Sequence, residues 1–234
     1  MREIPAFDQF SVIASVGSDE LPDDLAGYSK RASQRKVTRL LERAFYAPYV
    51  AALELNDRYG SGDPDRVALF TVSAWDPTIP VPDYAEQETP DRIEQLSRYY
   101  THPANPTDWL RRMPNNPLCN IAITTTFRGP CIHYIGAADA LSMLTSVALS
   151  TLADGSADSA VVVAFDLPAG QEHLLAHEGD SAAAAVLLKP GPGLLAASRL
   201  VDSASAAAPG TSALTAMQDF IVSSRGTELV GSAR

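Results

Sequence analysis

The stretch Gly129 to Asp154, GPCIHYIGAADALSMLTSVALSTLAD, limits the possible folds more than any other part of the chain. It opens on Gly-Pro, runs through a short apolar strand, turns on Gly136, Ala137 and Ala138, and continues as a helix from Asp139 to Ala153. A strand, a small-residue turn and a helix in direct succession open an α/β unit, because the helix must pack back onto the sheet that its strand enters. In that helix Leu141, Met143, Leu144, Val147, Ala148, Leu149 and Leu152 spread over more than one face. Most of its sides are therefore expected to be buried. One sheet cannot cover so broad a surface, and large exposed apolar patches are uncommon, so a partner is expected to complete the cover.

The remaining segments extend the same pattern. Val67 to Ser73 is apolar and β-branched and lies between Gly60-Ser61-Gly62 and Asp76-Pro77, which predicts a buried strand. Ser159 to Phe165 and Ala182 to Leu188 are unbroken apolar runs of strand length, as in strands covered by helices on both faces. From Ser29 to Leu55, Val37, Leu40, Leu41, Ala44, Phe45, Val50 and Leu53 recur near helical period, and Pro48 should kink or restart the helix. Asn115 to Thr126 reads as a helix ending in an extended turn toward Gly129-Pro130. Trp75 to Pro90, with four prolines, predicts a loop, Asp91 to Tyr100 a short helix, and Gly170 to Asp180 a polar loop. Leu194 to Val201 is expected to add a strand, residues 203–212 a linker or mobile loop, and Thr211 to Val222 a closing helix. With 234 residues and 46% hydrophobic content, one core and a single domain over 1–234 are expected.

Charge and termini narrow the function. A formal net charge of −10 makes a phosphate-tracking surface improbable, so nucleic acid is not expected as a partner. The first residues carry no long apolar run, which argues against a signal peptide, and no run of about 18 apolar residues is present to span a bilayer. Two cysteines make neither a disulfide framework nor a zinc site, so a reducing cytoplasm is the expected location.

Few side chains offer chemistry. Cys119 and Cys131 read as small, inert core residues. His133 alternates with Cys131 and Ile135 on one strand face and is compatible with lining a cavity, a cross-chain contact or a structural hydrogen bond. His173 and His177 share an i, i+4 spacing but lack the third ligand of a metal site, and no metal is expected. Asp139 reads as a helix-start residue stabilised by free backbone N–H groups. Gly191-Pro192-Gly193 is a turn without the continuation of a phosphate loop. Arg111 and Arg112 read as a solvated helix end.

Taken together, these blocks resemble the amino-terminal half of the β-ketoacyl synthases, a thiolase-like family. The resemblance is carried by KVTRLLERAFYAPYVAALEL (Lys36 to Leu55), DRVALFTVSAWD (Asp65 to Asp76), MPNNPLCNIAITTTFRGP (Met113 to Pro130), the Gly-Pro–strand–elbow itself, GSADSAVVVAFD (Gly155 to Asp166) and HEGDSAAAAVLLKPGPG (His177 to Gly193). It implies an α/β fold, one thiolase-like half with a mixed five-stranded sheet between helices. Counting from Gly129-Pro130, the place of the family's nucleophilic cysteine falls on Ala138, whose methyl group cannot attack a thioester. Nothing in the chain resembles the second half, which in the family supplies two histidines, so no catalytic residue is expected.

The resemblance is closest to chain-length factors, the silent partners of ketosynthases in type II polyketide synthesis, and among these to the short ones of polyene-making, highly reducing systems. It implies a ketosynthase partner paired through Pro130, Cys131, Ile132, His133, Tyr134, Ile135 and Gly136. It also implies a wall for the partner's acyl tunnel, with Trp109, Leu110, Met113 and Pro117 as the chain-length gate or as ordinary core packing. No cofactor is expected in this chain itself. A phosphopantetheinylated acyl carrier protein would serve the partner and meet this chain only indirectly. The alternatives are a stand-alone acyl-transferring or decarboxylating half-thiolase that uses Cys131 or His133, and a homodimeric scaffold.

Overall fold

The computed structural model describes residues 7–32, 40–41, 45–74, 113–166 and 182–231, with side chains up to Arg225. Six strands form one mixed sheet: β1 (Phe10–Val16), β2 (Val67–Ala74), β3 (Cys131–Ile135), β4 (Ser159–Asp166), β5 (Ala182–Pro190) and β6 (Leu195–Ala196). Their order is β3-β2-β4-β5-β1-β6. β2 runs parallel to both β3 and β4, whereas β5 is antiparallel to β4 and β1, and β1 to β6. The sheet is thus mixed as expected, with a short sixth strand added to the expected five.

Alternation along the strands divides the interior in two. Ala68, Phe70 and Val72 of β2 and Ala160, Val162 and Ala164 of β4 share a core with α4 (Ala138–Ala153), α5 (Ser198–Ser205) and α6 (Ala213–Gly231). The intervening Val67, Leu69, Val161, Val163 and Phe165 pack with α2 (Tyr46–Tyr59), beside which lie α1 (Leu25–Ala32) and α3 (Asn116–Thr125). Strands covered on both faces can be apolar at every position, which explains the unbroken runs of β4 and β5. A bulge between Val12 and Ala14 turns β1 over, so that Phe10 and Val12 enter one core and Ala14 and Val16 the other.

Several local expectations are revised. Pro48 lies in the first turn of α2, where its missing N–H breaks no helical bond, so the helix restarts at Tyr46 and is not kinked there. Leu194 to Val201 does not form a strand of that length: pairing with β1 stops after Ala196, and a helix begins at Ser198. Residues 203–205 belong to that helix, which buries Leu200 and Ala204 one turn apart. The expected linker is therefore shorter, and at its far end Ser212 bridges to Ala137. The closing helix runs to Gly231, well past Val222.

The partner expected over α4 is largely replaced from within the chain. Leu214, Met217, Phe220 and Ile221 of α6 join the same core as Leu141, Leu144 and Leu149 of α4, and only Met143 remains a large exposed apolar side chain on α4. The expected loop at Trp75 to Pro90, the helix at Asp91 to Tyr100 and the loop at Gly170 to Asp180 lie outside the described residues. So do Arg111, Arg112, His173 and His177.

Candidate functional site

The Gly-Pro–strand–elbow stretch forms one border of the sheet. Gly129 lets the chain enter β3 against the start of β2: its N–H donates to the Val67 carbonyl at 3.1 Å, and a Cβ at Gly129 would clash with that same backbone. β3 then pairs with β2 on one side only, from Leu69↔Cys131 to Ser73↔Ile135. Among the described residues no strand lies on its outer side. Its outer backbone groups and the half-exposed Ile135 (45% accessible) form an open edge.

Beside this edge, α3 exposes Cys119 and Ile123, and Met113 is exposed just before it. Pro117 is buried in the first turn of α3. Met113 and Pro117 thus stand at the start of one helix with different exposure, while Trp109 and Leu110 lie outside the described residues.

At the end of β3 the chain turns on Gly136, where a Cβ would come within 2.5 Å of the Ala140 methyl. The two small residues allow strand and helix to meet in so tight an elbow. α4 starts at Ala138, which is buried, and its N–H donates to the Thr211 carbonyl at 3.0 Å. The elbow therefore places a buried methyl group at the first position of the helix. Asp139, at the second helical position, accepts the Ala140 N–H at 2.9 Å, as a helix-start carboxylate should. Facing the elbow, Asp166 at the end of β4 accepts a 2.7 Å hydrogen bond from the Ser212 hydroxyl. Burial raises the Asp166 carboxyl above the ordinary range against the pull of that bond.

The other face of the same strand ends carries polar groups. Thr71 and Ser73 of β2 are fully buried, and Thr71 Oγ1 lies 2.8 Å from His133 Nδ1 across the β2–β3 ladder. The imidazole reaches over β2 to Phe165 of β4, with 6.2 Å between ring centres. Burial lowers its pKa from 6.5 to about 4, so His133 is neutral at pH 7. His133 Nε2 and Ser73 Oγ are both shielded from solvent and have no hydrogen-bond partner among the described residues.

The cysteines differ from expectation. Cys119 and Cys131 are exposed and free, because α3 and the border strand lack the neighbours that a central element has. Partial desolvation raises the Cys131 thiol pKa, and its Sγ lies 3.4 Å from the Gly129 carbonyl. Its thiolate form is disfavoured. Among the described residues no three His, Cys, Asp or Glu side chains converge as metal ligands, and no helix is long and apolar enough to cross a membrane.

Sequence reasoning singled out the β3 residues and Ala138, and the structure brings these together around one strand and its elbow. It missed Thr71, Ser73, Asp166 and Ser212. A signal for two of them was present: Thr71 and Ser73 are hydroxyls two apart in an otherwise apolar strand, and so share one face.

No family model and no curated protein sequence matches the chain. Solved structures resemble it in fold. A type II polyketide synthase acyl carrier protein in complex with its ketosynthase, bound to the hexaketide, aligns with a TM-score of 0.54 at 11% identity, over 78% of this chain and 62% of that one. A β-ketoacyl synthase from Burkholderia phymatum aligns with a TM-score of 0.51 at 12% identity, over 78% of this chain and 59% of that one. The fold is therefore that of the thiolase-like ketosynthases, and this chain spans about three-fifths of the length of both.

Proposed function

We propose that this chain, which has a ketosynthase fold but a methyl group at its elbow, is a non-catalytic subunit. It would pair with a catalytically competent ketosynthase in type II polyketide synthesis. The observation that carries this reading is the open edge of β3 beside an elbow that ends in buried Ala138. An edge strand with unpaired backbone groups and exposed apolar side chains is a template for another chain, and strand addition supplies both hydrogen bonds and register. Pro130 to Gly136 would form the seam, and the exposed side chains of α3 would widen it toward an obligate-type interface. The partner would supply the nucleophile and the histidines and would meet the phosphopantetheinylated carrier protein. This chain would stabilise it and wall its acyl tunnel. Met113 and Pro117, with Trp109 and Leu110 before them, are the proposed gate, and a polyene or other reduced polyketide is the proposed product.

A catalytic role for Cys131 or His133 has less support. The Cys131 thiol is held toward its protonated form, and Nδ1 of His133 is engaged by Thr71. Among the described residues neither group has the partner that would activate it.

Co-expression with a catalytically competent type II polyketide ketosynthase tests the proposal. A one-to-one complex is expected, and Ile135→Lys should weaken it strongly while leaving the isolated chain folded, because Ile135 is already half-exposed. A chain that ignores the ketosynthase and forms a homodimer would overturn this reading in favour of the scaffold.

A further inference from the structure

A buried hydroxyl or imidazole N–H without a partner is a free-energy cost that a well-packed protein seldom retains without use. Two such groups lie on the same face of adjoining strands. Ser73 is fully buried, follows Thr71 by two residues on β2, and stands in register with Phe165. His133 stands in register with Thr71, and its ring crosses β2 to the ring of Phe165. The imidazole therefore shares the face that Ser73 presents.

One of the two neutral tautomers of His133 makes this face a pair of donors. The Thr71 hydroxyl is buried and its partner is His133 Nδ1. A hydroxyl that donates to Nδ1 leaves the neutral imidazole with its proton on Nε2. In that tautomer the face holds two donors, Nε2–H of His133 and O–H of Ser73, neither of them satisfied among the described residues. Because β3 is the border strand and the His133 side chain is partly exposed, the groups lie close to the outer edge.

We propose that Ser73 and His133 form a two-donor slot for a neutral carbonyl oxygen, the ketone of an acyl chain that is not fully reduced. Two neutral donors, with burial as the cause of the His133 shift and no charged partner among the described residues, suit a ketone better than a carboxylate or phosphate, and the hydrocarbon part of a polyene has no atom to fill the slot. The inference rests on the acyl-tunnel reading and narrows it, among reduced products, to chains that keep at least one ketone besides the thioester carbonyl.

The test uses the full chain, labelled with ¹⁵N, and two probes of equal length: 2-nonanone, which has a carbonyl, and 1-nonene, which has none. The chain has four histidines, so the His133 signals are assigned by their loss in His133→Gln. The expected spectrum shows a protonated Nε2 on a neutral ring, shifted by 2-nonanone and not by 1-nonene. Ser73→Ala should raise the melting temperature by about 2–4 °C, since it removes an unsatisfied buried hydroxyl, while weakening ketone binding about tenfold.

An unprotonated Nε2, equal responses to both probes, a lower melting temperature in Ser73→Ala or undiminished ketone binding by that variant would each overturn the slot. Association with a ketosynthase is read separately by co-purification. A chain that binds the ketone but ignores the ketosynthase refutes the proposed partnership and leaves the slot standing. The converse refutes only the slot.

Discussion

His133 in the middle of β3 and Asp166 at the end of β4 lie on opposite faces of the sheet, on strands separated by β2, and burial pushes their pKa values in opposite directions. For His133 the folded value, about 4, lies below the unfolded 6.5, so between these values the unfolded chain binds a proton that the folded chain refuses. Its contribution to stability is complete above the unfolded pKa, falls as the pH drops through that window, and levels off below about 4. The largest effect is about 3 kcal/mol. Asp166 works the other way: its raised folded pKa makes the folded chain the better proton binder, which offsets part of the loss as the pH falls. His133→Gln keeps a polar side chain opposite Thr71 without the titration. Urea unfolding near pH 7 and near pH 4.5 should therefore show a markedly smaller stability loss in the variant than in the native chain. Equal losses would mean that the imidazole is solvated in the folded state.

At the scale of elements, the entry to β3 depends on Gly129, whose missing side chain lets the backbone lie against Val67. Gly129→Ala would place a methyl group in contact with main chain, which cannot move aside as a flexible side chain would. The variant should be destabilised by several kcal/mol, a large fraction of a typical total, with β3 amide protection lost first in hydrogen exchange. Wild-type protection in β3 would show that the close approach is dispensable. The same strand shows what the sequence could and could not reveal. Its Gly-Pro entry, its elbow and the unbroken runs of β4 and β5 were legible, because tight backbone approach and two-sided burial each leave a compositional trace. Strand order leaves none. Cys131 was therefore read as a core residue although β3 is the border, and Thr71 and Ser73 gained significance only once β3 had been placed beside them. Residues 203–205 were read as a linker because Ser and Ala dominate there, yet the single buried turn of Leu200 and Ala204 suffices to hold a short helix against α4.

For the whole molecule, the decisive feature is the return of the chain over its own central helix. α4 is apolar on too many sides for one sheet to cover, and α6 supplies the missing layer with Leu214, Met217, Phe220 and Ile221, all buried. Burial of each large side chain contributes roughly 1.5–3 kcal/mol, so this layer outweighs the bonds at its periphery. Those bonds still fix its position: Gln218 donates to the Ser18 hydroxyl, and Arg225 pairs with Asp19 and Glu20 beside Arg58. Exposed ion pairs of this kind add little energy, and their role is register. Two consequences of this layering separate the core from the proposed interface. The full chain without a ketosynthase should unfold cooperatively, since its main apolar faces are covered in cis and the open border is a single five-residue strand. Removal of residues 213–234 should instead leave Leu141, Leu144 and Leu149 uncovered, giving strong binding of a hydrophobic dye and aggregation in size-exclusion chromatography. A truncated chain that stayed monodisperse and free of dye would show that α4 is covered by something other than α6. A full chain that bound dye as strongly as the truncated one would show that the internal layer does not suffice, and that a partner is needed for the core as well as for the edge.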